Sequence, residues 1–503
     1  MNSKELNDNY NKTKNIFHNY IDNIKKNIPI DIYSVINTTL VKNPFDSNFP
    51  KNFFYQIIIE QNIILIFIIS SLKFYIKMTY SFISYLIAYF IYKIYSKKIK
   101  LDLKNYKVID IFFLVDKITK ENKFNENYFV NLYEVFQKHN QKYIFLPRLY
   151  GGRKNPFKLI KFFKILKKDN NKFLFEYQLL TAKDFISILI IIFKYPFKTL
   201  RLLQKENLAN DKLFNKELLK DISNSSFDTF SRYVFGKNIS VISDIQDIYS
   251  WSEFQVIERS FNYAIRINNN NIKLHACQFY LSYETYFNTF IDDIDFEHKT
   301  SPHEVLVNGQ YYILKRDKIK YKKGVSLRYN SIFKYNNKIE LNNIFLIGSY
   351  VKNDTKYMLE CVSSFKNVIF KSHPTVINKL SYLQDNVTST DMSIYDIFKI
   401  CNIVIGTASG TLVEAISCGL SVIVISSKDN LTANPLVDYG KGKIWDIAFS
   451  KNDVKLVYNN LLKYRKENLD EIKKMSLWYK NNFFVEPTEE NIIEAFDLNK
   501  GTV

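Results

Sequence analysis

The sequence predicts an α/β protein in which two parallel-sheet domains face each other across a cleft, with apolar helices ahead of them. Three observations lead there. Short apolar runs alternate with helical patterns of roughly 10–15 residues, as βαβ units do. Several runs carry no polar break, as strands covered on both faces of a parallel sheet must. The 503 residues are 47% apolar and 16% aromatic, enough for large cores and incompatible with a disordered chain. Glycine (12) and proline (10) are scarce, which excludes collagen-like and linker-dominated designs.

Residues 1–50 are polar and mixed and end in the turn-rich NPFDSNFP at 43–50. Two uncharged apolar runs follow, at 63–72 and 78–92, each short of the roughly 18 residues of a spanning helix. Lys73, Lys77, Lys93, Lys97 and Lys98 border them, and a third run at 185–193 precedes Lys194, Lys198 and Arg201. Lysine stems of this kind snorkel to phosphate headgroups, so attachment to a membrane surface is expected. Burial in a core, or a tilted span of 78–92, are the alternatives. Residues 1–100 therefore form a helical, membrane-associating region.

The first αβ series fills 101–335, with an apolar helical insertion at 185–235. Its expected strands are 108–116, 142–147, 172–177, 238–243, 271–279 and 303–309. The second fills 336–503, with strands at 343–350, 367–374, 403–408 and 421–426 and helices at 355–365, 393–402 and 409–419.

The net charge of +20 invites a nucleic-acid reading. Lys, Asn, Ile, Phe and Tyr crowd the whole chain, however, and no basic run falls in a recognisable nucleic-acid module, so no such partner is expected. Cys277, Cys361, Cys401 and Cys418 make no C-x-x-C pair, which points to a reducing compartment rather than a disulfide framework or zinc ribbon. The six histidines show no tight metal spacing, and the first residues lack the apolar core of a signal peptide.

Ligands of parallel αβ sheets sit outside the carboxyl ends of the strands, and two constellations fall there. Lys371-Ser372-His373-Pro374 leaves one strand, where a neutral imidazole can donate to a diphosphate oxygen and Lys371 can add charge. Thr407-Ala408-Ser409-Gly410-Thr411 leaves another and opens a helix, whose first amides can meet an anion. Glu414, one turn in, can accept from ribose hydroxyls; alternatively, Thr411 and Glu414 form a capping box that needs no ligand.

Residues 343–447 resemble the donor-binding domain of glycosyltransferases with the GT-B architecture, two Rossmann-like domains facing a cleft. The carrying features are His373-Pro374 after a strand, the hydroxyl-rich turn with Glu414, and the strand Gly419-Leu420-Ser421-Val422-Ile423. Polysialyltransferase-like and glycerophosphotransferase-like enzymes share them. Trp251–Arg259 and the segments 271–279 and 303–312 are similar to surface-carbohydrate (capsule and lipopolysaccharide) biosynthesis proteins of bacteria. The acidic triplet with glycine of polysialyltransferases is missing, since Asp292-Asp293-Ile294-Asp295 lacks the glycine.

The resemblance implies a glycosyltransferase moving a sugar from a nucleotide-activated donor to a membrane-proximal or lipid-linked glycan. Its place would be the cytoplasmic face of the inner membrane, peripheral or monotopic, without a bound metal or other cofactor. The donor would be held by Lys371, His373, Pro374, Thr407, Ser409, Gly410, Thr411 and Glu414. An attacking hydroxyl must lose its proton, and Asp116 and Glu258 are the expected bases, with Glu253 as a further candidate. A nucleotide-sugar epimerase, or a non-catalytic membrane scaffold with a degenerate transferase fold, are the rival readings.

Overall fold

A run such as Ser421–Ile425, buried at all five positions, has no polar face to turn outwards and needs cover on both sides. Two sheets are built from runs of this kind. The computed structural model describes residues 3–44, 46–56, 62–335, 343–373, 383–428 and 430–498. Among these, the first sheet takes β1 (Tyr106–Leu114), β2 (Lys142–Tyr150), β3 (Asp247–Trp251), β4 (Lys273–Gln278), β5 (Glu304–Val307) and β6 (Lys320–Lys323). Their spatial order is β2-β1-β3-β4-β5-β6. The second takes β7 (Asn343–Ile347), β8 (Val368–Lys371), β9 (Val387–Ser389), β10 (Cys401–Gly406), β11 (Ser421–Ile425) and β12 (Trp445–Ala448). It is ordered β12-β11-β10-β7-β8-β9. Every pairing is parallel. The strand order reverses between β1 and β3 and again between β7 and β10, which opens a crevice at the carboxyl edge of each sheet.

Two expected strands are absent. Residues 172–177 touch the sheet through one bridge, Phe145 to Phe173, before the short helix Glu176–Leu179. Residues 238–243 end the helix Phe227–Ser240, and the strand lies further on, at β3, where Asp247 and Ser250 interrupt the apolar pattern. Asp247 is tied to His275 at 3.0 Å, and Ser250 donates to Asp110 at 3.0 Å, so both polar residues are satisfied within the sheet. His275, buried inside β4, stacks on Tyr249 at 4.2 Å and lies 3.2 Å from Glu304.

The first fifty residues are not loose. The helix Ser3–Asn27 buries Leu6, Tyr10, Phe17, Ile21 and Ile24 against Phe49, Phe54, Phe214 and Phe287. Lys25 on this helix reaches Asp295 at 2.9 Å, and Arg259 takes the same carboxylate at 2.6 Å, which holds its carboxyl well below the usual range although burial opposes this. Asp295 of the acidic cluster at 292–295 is therefore a buried ion-pair centre that fastens the first helix to the first domain, while Asp293 accepts from the Asp317 and Lys318 amides. The two apolar runs at 63–92 form one continuous helix, Ile63–Tyr95, capped by the Asn62 side chain. The last helix, Glu489–Ala495, expected with the second domain, crosses back to the first, where Phe496 packs on Phe136 and Tyr249.

Candidate functional site

The carboxyl edges of the two sheets face each other, and each turn at a reversal point holds a non-glycine residue in the left-handed region. In the second domain this is Ala408 (φ 49°), whose amide donates to Ala433 O at 3.0 Å. In the first it is Phe254 (φ 56°), between β3 and the helix Val256–Asn268. Such a backbone costs an L-residue about 1–2 kcal/mol and persists where its surroundings over-determine it, often at functional turns.

At the exit of β10, Thr407 is buried and its hydroxyl has no hydrogen-bond partner. Ser409 Oγ accepts from the Thr411 amide at 3.3 Å. Gly410 meets the first domain: a Cβ there would stand 3.1 Å from Leu281. The capping box does not form, because Gly410 is the N-cap of the helix Thr411–Ser417 and no side chain caps it. Glu414 turns elsewhere. It is buried, accepts from the Tyr395 hydroxyl at 2.5 Å, and its carboxyl is raised by burial, with Tyr395, Arg328 and Thr411 opposing.

Next to this turn, Tyr283 and Tyr286 of the first domain (4.6 Å apart) pack with Ala408, Ala433 and Tyr350. The Tyr286 hydroxyl bonds that of Tyr350, the Gly410 amide lies against the Tyr283 hydroxyl, and His373 sits 6.0 Å from Tyr350, edge to face. Burial lowers the His373 pKa, so its imidazole is neutral at neutral pH. Lys371, on the same exit loop, points away and donates to Met392 O at 2.7 Å. Pro374 lies outside the described residues.

On the opposite side, Trp251 ends β3 and Glu253 follows it. The Glu253 carboxylate accepts from Trp251 Nε1 (3.4 Å) and Gln255 Nε2 (2.9 Å), and its charge acts on Tyr128, Tyr280 and Tyr286. Arg328 lies 5.3 Å over the Trp251 ring while its charge reaches Glu414. This arginine bridges the two edges and was not legible in the sequence, since KKGVSLRYN carries no motif.

The other two carboxylates are engaged elsewhere. Asp116 is exposed at the end of β1 and pairs with Lys158 at 2.7 Å. Glu258 is buried, 2.5 Å from Arg148, and accepts from the Gln255 amide as a capping box; burial pushes its carboxyl up to about 7. Arg148 in turn meets Asp110 at 3.3 Å, and Arg232 meets the same Asp110 at 2.9 Å. Among the described residues, no group of three or more His, Cys, Asp or Glu side chains gathers as a metal site would.

No family model matches the chain, and no curated protein is similar to it. Among solved structures, it is similar to UDP-GlcNAc 2-epimerase from Neisseria meningitidis bound to UDP-GlcNAc: 12% identity, 78% of this chain and 100% of that one, TM-score 0.43. Acinetobacter baumannii MurG is similar at 11% identity, 78% of this chain and 99% of that one, TM-score 0.39. The wall teichoic acid polymerase TagF is similar at 10% identity, 84% of this chain and 96% of that one, TM-score 0.38. Likenesses this loose carry no functional argument. The chain's own geometry has to.

Proposed function

We propose that this chain is a glycosyltransferase that uses a nucleotide-activated sugar and a glycan acceptor borne on or near a membrane, in bacterial surface polysaccharide synthesis. One observation carries the reading: the reversal points of both sheets face each other, with Arg328 bridging Trp251 on one edge and Glu414 on the other. The donor lies along the second domain's edge. Glu414 accepts from its ribose hydroxyls through Oε1, the oxygen that Tyr395 does not take, Thr407 Oγ and His373 donate, and Arg328 offsets the diphosphate charge. The acceptor hydroxyl comes from the first domain's side. Its oxygen forms the new bond to the anomeric carbon, the bond from that carbon to the phosphate oxygen breaks, and the electron pair leaves on the diphosphate. The proton passes to Glu253, the carboxylate that faces the cleft, in preference to the ion-paired Asp116 and Glu258.

Calorimetric titration with UDP, CDP and CMP tests the donor half. At least one should bind, and Glu414→Gln should weaken it roughly tenfold, as loss of a charge-assisted hydrogen bond does. No binding by any of the three, or binding unchanged in both Glu414→Gln and Arg328→Ala, defeats the assignment. Incubation with the matching sugar nucleotide, followed by NMR, separates the epimerase: epimerised donor without an acceptor would replace the transferase reading.

A further inference from the structure

The basic excess of the chain is concentrated. Residues 93–172 hold 20 Lys and Arg against 7 Asp and Glu, a net +13 out of the +20 of all 503 residues. A bias of composition alone would spread it evenly. Part of this charge lines a pocket of about 770 Å³ at the carboxyl end of the long helix Ile63–Tyr95, where Lys97, Lys98, Lys104 and Lys167 surround the amino ends of β1 and β2. A neighbouring pocket of about 530 Å³ is lined by Phe157, Ile160, Lys161, Lys164 and Lys168 among others. The helix Pro156–Lys168 joins the two.

The same side of the molecule carries an apolar face. Ile64, Leu72, Ile76, Phe90 and Ile94 of the long helix are each more than half exposed, as are Ile186, Phe193 and Phe197 of the helix Ala182–Thr199. The two helices lie side by side: Phe67 packs on Phe197 at 6.1 Å, and the Tyr75 hydroxyl donates to Phe193 O at 2.7 Å. The opposite stripe of the long helix, from Ser70 through Phe74, Met78, Tyr85 and Ala88 to Tyr92, is buried in the first domain. That stripe covers 23 residues, about 33 Å from end to end and so about the whole hydrocarbon thickness. A spanning helix would have to draw its packing partners into lipid, including the ion pair of Arg153 and Asp228 beside Tyr85. Lysine also argues against a second copy as the cover, since face-to-face pairing would bring two fringes of like charge together.

We propose that these two helices lie in the plane of an anionic bilayer leaflet, apolar stripe inserted, with the lysine pockets of the helix Pro156–Lys168 on the headgroups. This deepens the acceptor half of the proposed function and rests on that reading only for what the membrane delivers. The orientation is informative. Lys154, in the loop leaving β2, lies 5.5 Å over Tyr80, so the middle of the long helix is level with the carboxyl edge of the sheet. A leaflet on this face therefore reaches the height of the cleft mouth.

Vesicle flotation of the full chain tests it, using phosphatidylcholine alone and phosphatidylcholine with phosphatidylglycerol. Binding should be at least tenfold stronger to the anionic vesicles and should weaken with salt. Lys97→Glu with Lys98→Glu and Lys167→Glu should remove that preference, and Ile76→Asp with Phe193→Asp should abolish binding, with unchanged melting midpoints. These side chains are exposed, so folding does not depend on them. No vesicle binding by the unaltered protein, equal binding to both vesicle types, or a dimer dissolved by the Ile76 and Phe193 changes would overturn the proposal. None of these readouts involves a nucleotide, so failure here and failure of the donor site remain distinguishable.

Discussion

Asp221 ends the helix Ala209–Asp221 at a place where, among the described residues, no cation pairs with it. Its carboxylate is fully buried and accepts from the Thr39 hydroxyl at 2.6 Å and the Asn224 side-chain amide at 2.9 Å. Burial pushes its carboxyl up to about 7; hydrogen bonds from Ser47, Thr39 and Asn224 oppose this, and Glu217 adds repulsion. An unfolded aspartate titrates near 3.9, so the folded value lies about three units higher. A carboxyl raised in this sense contributes stability that is complete below about pH 4 and is lost as pH rises through about 7. At about 1.4 kcal/mol per unit, the loss reaches about 4 kcal/mol by pH 8. Asparagine keeps the shape without the charge: its oxygen accepts from Asn224 and its amino group donates to the Thr39 hydroxyl, which is free to rotate. Asp221→Asn should therefore stabilise the protein at pH 8 by up to about 4 kcal/mol, and by about 2 kcal/mol less at pH 5.5. At about 1–2 °C per kcal/mol for a unit of several hundred residues, thermal melting should show a rise of roughly 4–8 °C at pH 8. A midpoint at pH 8 no higher than that of the unaltered protein, or an equal gain at both pH values, would refute the reasoning.

Three further outcomes follow from the same geometry. Glu253→Gln should lower turnover at least about a hundredfold with donor binding retained, whereas Asp116→Asn, which only releases Lys158, should leave both nearly unchanged in a steady-state assay. Phe74 is fully buried and packs on Tyr195 and Phe230 at 5.3 and 5.9 Å, so Phe74→Ala should cost about 3–5 kcal/mol and expose the long helix to limited proteolysis. Gly410→Ala should crowd Leu281 across the cleft, and Leu281→Ala in the same chain should restore nucleotide affinity measured by calorimetry.

The second sheet was legible because its inner strands are buried on both faces and read as unbroken apolar runs; β7, β8, β10 and β11 all lie where those runs fall. The edge strands β9 and β12 were not, since edges are short and half-polar. In the first sheet, β3 escaped notice because Asp247 and Ser250 serve polar networks inside the sheet, and the apolar 238–243 drew attention to a helix end instead. The helix Ser3–Asn27 was legible in hindsight: Leu6, Tyr10, Phe17, Ile21 and Ile24 recur at helical spacing beneath a polar average. At the candidate site, the turn and Glu414 could be read from their place after a strand. Arg328 and the tyrosine loop could not, because only tertiary packing brings 279–286 and 328 to the edge of the second sheet.

That loop bears on how a ligand gains entry. Tyr283 stands at the Gly410 amide and Tyr286 at Tyr350, so the first domain closes over the turn that would hold a donor. Both chain crossings between the domains are tied to each other on one side, where Ser326 N donates to Val485 O at 2.9 Å and Val485 N to Ser326 Oγ at 3.0 Å. Elsewhere the first helix clips the domains together through Asn7 and Thr432, at 3.3 Å in each direction. Parting the domains about Ser326 and Val485 would cost these neutral hydrogen bonds, each contributing about 1 kcal/mol, and also the apolar packing that Leu281, Tyr283 and Tyr286 share with the second domain. On the proposed reading, the Tyr283 hydroxyl at the Gly410 amide holds a place that a donor oxygen would take, so donor binding and release of this tyrosine go together.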